Sequence, residues 1–264
     1  MSVDTIDREK VFKVAERAAR SAGALLKDAL GESRTIEYKG EIDLVTEMDR
    51  KAEDLIVGII VDEFPDHGIL TEESSEQKSG GDYRWIIDPI DGTTNFAHGF
   101  PVFCISIAFE IDGEVVLGVI YDPTRDELFT ALKEKGAFLN GKSISVSKTK
   151  ALTNSLLATG FPYDIRTTEE TNLDHFSNFA VRVQAIRRAG SAALDICYVA
   201  CGRFDGFWEL KLRPWDVAAA TLVLIEAGGV ATDFRKTSST IYDSQLLATN
   251  SLIHREMIEV LSRK

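Results

Sequence analysis

From Val11 onward apolar residues return every three or four positions, so that Val11, Val14, Ala18, Ala22, Leu25 and Leu26 fall on one side of a helix. Asp7 stands where such a helix starts and Gly31 where it stops. The stretch 46–64 repeats the period and turns Ala52, Leu55, Ile56, Ile59 and Ile60 inward. A short extended piece over 35–38 leads into the polar loop Lys39-Gly40-Glu41-Ile42-Asp43 between the two helices. Beyond Phe64 the signal changes to strands. Apolar segments at 69–71 and 84–87 end in acidic residues, and 103–111 with 114–121 flank Asp112-Gly113, the signature of a tight hairpin. Segments 128–132, 136–139 and 144–147 continue the meander, with Asn140-Gly141 as a further turn. The first half therefore predicts two helices on a mostly antiparallel sheet.

After Lys150 strands and helices alternate. Strands are expected at 155–159, 185–187, 206–209, 230–233 and 246–249, and helices at 168–183, 191–201, 214–227 and 251–261. Pro214 suits a first helical turn. No repeat, low-complexity tract or Pro-rich linker interrupts the chain, so the division into 1–150 and 151–264 reads as a seam rather than a hinge.

Composition narrows the function classes. With 264 residues, 44% of them apolar, the chain can bury a large core in one or two closely packed domains. A net charge of −12, with no Lys/Arg stripe to offset it, argues against nucleic acid as the primary partner. The same acidity suits an anionic substrate only when bound cations reverse the local potential. Cys104, Cys197 and Cys201 are too few and wrongly spaced for a disulfide framework or a zinc site. The first ten residues do not read as a signal sequence, and the longest apolar stretch, 217–225, is too short to span a bilayer. A soluble, cytoplasmic protein is expected.

The richest chemistry lies in Trp85-Ile86-Ile87-Asp88-Pro89-Ile90-Asp91-Gly92-Thr93-Thr94-Asn95-Phe96. An apolar run delivers Asp88 to a Pro turn, Asp91 follows, and Gly92 opens a short helix. Two carboxylates about 4 Å apart repel by roughly 4 kcal/mol at an effective dielectric near 20. A divalent cation between them is the usual remedy, and a helix start beside them suits a phosphate. Metal and phosphate at one point make a phosphoryl-transfer site.

The segment Asp88–Phe96 resembles the signature of the inositol monophosphatase family, magnesium-dependent, lithium-sensitive phosphatases of sugar and polyol phosphates. Three more segments carry the likeness in the family's order: Asp43-Leu44-Val45-Thr46-Glu47-Met48-Asp49, Gly68-Ile69-Leu70-Thr71-Glu72-Glu73-Ser74, and Pro214-Trp215-Asp216-Val217-Ala218-Ala219-Ala220 with Glu226-Ala227-Gly228-Gly229 behind it. The resemblance covers nearly the whole chain. It implies an α/β sugar-phosphatase fold of alternating α-β-α-β-α layers, with a mostly antiparallel N-terminal sheet and a second C-terminal sheet.

Glu72, Asp88, Asp91 and Asp216 each stand at a strand end or a helix start, where a rigid element can aim them. Oxygen ligands without His or Cys select Mg²⁺, with Mn²⁺ able to substitute. The resemblance implies that Glu72, Asp88 and the Ile90 carbonyl hold one ion. Asp88 would bridge to a second held by Asp91 and Asp216, and Glu72 would share in a third. With no Cys–Arg or His phospho-acceptor motif apparent, direct attack by water is the natural reading. The resemblance assigns Thr93 and Asp49, with Glu72, to orienting and deprotonating that water.

Gly92, Thr93 and Thr94 are expected to donate to the phosphate, and the resemblance places Lys39 near the site. Gly190, Ser191 and Ala192 at a helix start, with Glu209 at a strand end, would read the alcohol's hydroxyls. Arg166 and Arg187, with Arg188 beside the latter, could grip a second phosphate. The expected reaction is release of phosphate from myo-inositol monophosphate. The rivals are fructose-1,6-bisphosphatase, alone or as a dual activity, 3′-phosphoadenosine 5′-phosphate phosphatase and histidinol-phosphatase. A role as an RNA or transcription-factor partner is the reading from another class. The resemblance also implies a homodimer.

Overall fold

The computed structural model describes residues 6–30, 36–38, 44–74, 81–235 and 240–263. Helix α1 (Arg8–Ala29) starts as the sequence predicts. Asp7 accepts the amides of Glu9 and Lys10 at 3.0 and 3.1 Å, satisfying two donors that the helix itself cannot. Leu30 caps the other end, and the expected Gly31 stop lies outside the described residues. Antiparallel strands β1 (Ile36–Tyr38) and β2 (Leu44–Thr46) lead to helix α2 (Glu47–Glu63). The loop between those strands, including Lys39, is also outside the described residues. Along α2 the fully buried line is Ala52, Ile56 and Ile60, spaced by four. Leu55, expected inward, stands off that line and is 36% exposed.

The larger sheet has seven strands in chain order: β3 (Gly68–Thr71), β4 (Tyr83–Asp91), β5 (Cys104–Ile111), β6 (Glu114–Asp122), β7 (Glu127–Leu132), β8 (Ala137–Leu139) and β9 (Lys142–Ser143). Only the β3–β4 pair is parallel. Helix α3 (Thr93–Ala97) follows β4. The two hairpin turns read from the sequence hold positive φ at both central residues, Asp112 and Gly113 at 51° and 80°, Asn140 and Gly141 at 48° and 74°. The strand expected over 144–147 does not form. Val146 donates its amide to Ala227 at 3.2 Å instead, as the chain crosses toward the second half.

The second sheet runs β11-β10-β12-β14-β13, built from β10 (Leu156–Thr159), β11 (Ala185–Arg187), β12 (Gly206–Leu210), β13 (Val230–Thr232) and β14 (Gln245–Thr249). It is mixed, since β10 pairs parallel with β11 and β12 while β14 runs antiparallel to both its neighbours. Helices α4 (Leu173–Ala180), α5 (Ala192–Ala200), α6 (Pro214–Glu226) and α7 (His254–Leu261) complete the chain. Helix α4 begins later than the expected 168 because Asn172 is pinned with φ at 67°. The buried Asn172 amide donates to Thr159 Oγ1 and the Gly160 carbonyl at 2.9 and 2.6 Å and accepts from Trp208 Nε1 at 2.8 Å.

Three apolar clusters define the layers. Helices α1 and α2 cover one face of the large sheet through Leu26, Ile56, Trp85 and Phe109. Helices α5 and α6 fill the space between the sheets with Ile86, Ala193, Phe207 and Ala219. Helices α4 and α7 close the far side through Phe179, Trp208 and Met257. The result is the expected α-β-α-β-α stack, in which the second half lends two helices to the first sheet. Strands β4 to β6 read as nearly continuous apolar runs because both their faces are covered. The middle layer is tight. A Cβ on Gly118 would stand 2.5 Å from the Ala219 carbonyl oxygen of α6. Among the described residues no helix is long and apolar enough to cross a membrane.

Candidate active site

The end of β4 breaks the strand's regularity in a way that gathers charge. Asp88 pairs with Ser106 and Asp91 with Cys104, three steps on β4 against two on β5. The extra residue makes a bulge, and Pro89, which has no amide to donate, falls within it. Residues three apart on an unbroken strand would point to opposite faces. Here Asp88 and Asp91 line one cavity of about 510 Å³ together with Glu72, the Ile90 backbone, Gly92, Thr93 and Asp216. Tyr163, Lys211, Arg213 and Trp215 also line it.

Each carboxylate is set by a neighbouring element. Asp88 Oδ1 accepts the Ile90 amide at 2.9 Å. Asp91 Oδ2 accepts the Ser191 hydroxyl at 2.6 Å and the Ala193 amide at 2.7 Å, fastening the start of α5 to β4. Asp216, in the first turn of α6, accepts the Arg213 amide at 2.7 Å in a capping box, with Pro214 at the first helical position. Ser106 on β5 donates to the Trp215 carbonyl at 3.2 Å, so the start of α6 is tied down beside Asp88.

The electrostatics are those of like charges out of water. Burial pushes the Asp88 carboxyl well above the usual range, and Glu72, Asp91, Asp216 and Asp49 push it further. Burial and Asp91 raise Asp216 to about 7, against the pull of the Arg213 amide. Asp91 is raised by burial, while the Ser191 hydroxyl, the Ala192 and Ala193 amides and the Cys104 thiol draw it back. Among the described residues no three Asp, Glu, His or Cys side chains form a ready-made ligand set. The fit to a cation rests instead on the donor chemistry. All the donors are oxygens, as hard divalent cations prefer, and a nearby dication would favour the charged form that burial opposes.

Beside the carboxylates lies a hydroxyl relay. Thr93 Oγ1 is 3.2 Å from Asp49 Oδ1 and 3.0 Å from the Ile90 carbonyl oxygen, both within reach of its single proton. Asp49 is fully buried on α2. Gly92 holds φ at 101°, and a Cβ there would meet the Val102 carbonyl oxygen at 2.9 Å. Thr94 is exposed and outside the cavity lining.

A side cavity of about 90 Å³ adjoins this centre and brings together Gly190, Ser191, Ala192 and Glu209, the residues expected to read the alcohol. Burial, Asp216 and Asp91 raise Glu209 to about 8, with Arg188 opposing. Arg188, though exposed, lines this cavity, whereas the likewise exposed Arg166 and Arg187 line neither. Asp195 was not anticipated. It is buried on α5, its Oδ1 has no hydrogen-bond partner, and burial with Glu209 raises its carboxyl well above the usual range. An acidic residue inside the otherwise apolar run Ala192–Ala200 is the signal that could have found it.

Comparison with known proteins identifies the family. The inositol monophosphatase family model matches residues 7–264. The inositol-1-monophosphatase of Synechocystis sp. is 43% identical over 258 residues, covering 97% of this chain and 90% of that one. The Nus factor SuhB of Escherichia coli is 41% identical over 251 residues, 94% of each chain. The solved inositol monophosphatase of Anabaena (Nostoc) sp. superposes with a TM-score of 0.89 at 42% identity, covering 97% of this chain and 96% of that one. Agreement of sequence and fold over nearly the whole length places the chain in the inositol monophosphatase family, as a phosphoric monoester hydrolase.

Proposed function

We propose that the protein hydrolyses phosphate monoesters with Mg²⁺, and that myo-inositol monophosphate is its preferred class of substrate. One observation carries the reading. Glu72, Asp88, Ile90, Asp91, Gly92, Thr93 and Asp216, drawn from three separate stretches of chain, line a single cavity. Glu72, Asp88, Asp91, Asp216 and the Ile90 carbonyl would hold two or three Mg²⁺, with Mn²⁺ able to replace them. When bound, the ions supply countercharge for the ester oxygens and acidity for the attacking water.

The chain's own groups do the remaining work. Thr93, fixed by Asp49 and the Ile90 carbonyl, aligns a water through its hydroxyl and passes the proton toward Asp49. Glu72, at the cavity wall, is the second acceptor for that proton. Gly92 lets the ester approach the backbone without meeting a side chain. Glu209 and the backbone at Gly190–Ala192 face the alcohol from the side cavity, where a carboxyl oxygen accepts hydrogen bonds from ring hydroxyls. Phosphoryl transfer to water asks for little beyond such alignment and charge cancellation.

A phosphate-release assay with and without Mg²⁺ tests this, across inositol monophosphates, fructose 1,6-bisphosphate, 3′-phosphoadenosine 5′-phosphate and histidinol phosphate. Inositol monophosphate is expected to lead in kcat/KM, and no release from any ester sinks the proposal. The SuhB relatives, named as Nus factors, favour a second reading in which the fold also engages a transcription partner. Activity that survives in a form retaining such a partner supports both roles. A homodimer, which the family likeness suggests, would run at twice the 29.2 kDa chain mass.

A further inference from the structure

Helix α2 buries two carboxylates, and the proposed reaction uses one. Asp49 and Glu53 are four residues apart, hence on one face of the helix, and are 0% and 2% exposed. Asp49 meets Thr93. Glu53 reaches the turn that follows β3, where its Oε2 accepts the Glu73 amide at 3.1 Å and its Oε1 accepts the Ser74 hydroxyl. The Ser74 amide in turn donates to Thr71 Oγ1 at 3.3 Å. Glu72 sits between these anchors. Because Thr71 pairs with Ile87 in the parallel β3–β4 ladder, the turn carries Glu72 alongside Asp88.

We propose that Glu53 is a positioning residue, which holds the turn 72–74 so that the Glu72 carboxylate is presented to the divalent cation. This rests on the metal reading given above. Several observations carry it beyond the closing of a turn. Placing an ionisable side chain at 2% exposure costs desolvation that an apolar residue at the same helix position would not incur. Both of its oxygens are directed at the two residues that follow Glu72. The helix that fixes Thr93 through Asp49 therefore also fixes Glu72 through Glu53, setting both proton acceptors and one metal ligand from a single rigid element. Hydrogen-bond partners behind a metal ligand change affinity by about 10–100-fold when removed.

The test is calorimetric titration of Mn²⁺ into the full chain, comparing wild type, Glu53→Gln and Ser74→Ala. Gln fills the same volume, but it is neutral and its single carbonyl oxygen can accept only one of the Glu73 amide and the Ser74 hydroxyl. The expected result is a Kd for Mn²⁺ raised about 10–100-fold in Glu53→Gln, with a smaller rise in Ser74→Ala. Wild-type affinity in both variants overturns the proposal and leaves Glu53 as a turn closure. Should Glu53→Gln fail to fold, Ser74→Ala decides, since loss of one hydroxyl from an exposed residue spares the core. If wild type itself takes up no Mn²⁺, the metal reading falls, an outcome distinct from equal binding by all three proteins.

Discussion

Replacing Glu209 by Gln isolates the electrostatic strain of the side cavity. Burial, Asp216 and Asp91 raise this carboxyl from 4.5 to about 8, with Arg188 the opposing charge. Gln keeps the shape, which matters because a Cβ on Gly160 would fall 2.1 Å from Glu209 Oε1. Below pH 4.5 folded and unfolded chains both carry the proton, and Glu209 adds no pH dependence. Between pH 4.5 and 8 the unfolded chain loses the proton while the folded one keeps it. Wild-type stability therefore falls as pH rises, and levels off above 8. The full shift corresponds to ~5 kcal/mol at 1.36 kcal/mol per pH unit. An effective protein dielectric near 20 screens part of it, so about 1–3 kcal/mol is expected. Urea unfolding in chelator at pH 5 and pH 9 measures the effect. Glu209→Gln should gain stability over wild type at pH 9 relative to pH 5, while its KM for inositol monophosphate rises. A stability difference that is the same at both pH values refutes the reasoning.

Other consequences are independent of that one. Asp91→Asn should lower kcat by several orders of magnitude with an unchanged circular dichroism spectrum, because the amide oxygen can still accept the Ser191 and Ala193 bonds. Gly118→Ala should lose about 1–3 kcal/mol in urea unfolding, since its methyl meets α6 backbone that cannot give way locally; full stability would show the layers less tightly packed than described. Arg166→Ala should leave kcat/KM unchanged for mono- and bisphosphate alike. Arg188→Ala should raise KM more for fructose 1,6-bisphosphate than for inositol monophosphate, given its place in the side cavity. Equal effects of the two Arg substitutions would remove the second-phosphate role from both.

Where one local rule dominates, the fold could be read from the chain. Asp7, the Asp112-Gly113 and Asn140-Gly141 turns and Pro214 each act through neighbours a few residues away, and each behaves as its chemistry dictates. The misplaced boundaries have distant causes. Helix α4 is shortened by bonds from Asn172 to Thr159, Gly160 and Trp208, and the expected strand at 144–147 is displaced by the cap of α6. The site divides the same way. Asp88 and Asp91 announce themselves in one motif, yet their convergence depends on a bulge that strand periodicity cannot show. Glu53 looks like one more polar residue of an amphipathic helix until its partners in the turn after β3 are seen. Arg166 and Arg187 stand out in the sequence as cations able to grip a phosphate, and charge does not report which arginine faces a cavity.

Thermal unfolding with and without saturating Mg²⁺, on wild type and Asp88→Asn at pH 7.5, most directly tests whether a divalent cation occupies the gathered carboxylates. At 100 times the Kd, binding to the folded state alone adds about 2.7 kcal/mol, so wild-type Tm should rise by several degrees. The rise should vanish in Asp88→Asn, because the carboxyl it removes is the buried one that faces Glu72, Asp91 and Asp216 at once. A wild type indifferent to Mg²⁺, or an Asp88→Asn that gains as much as wild type, contradicts the account.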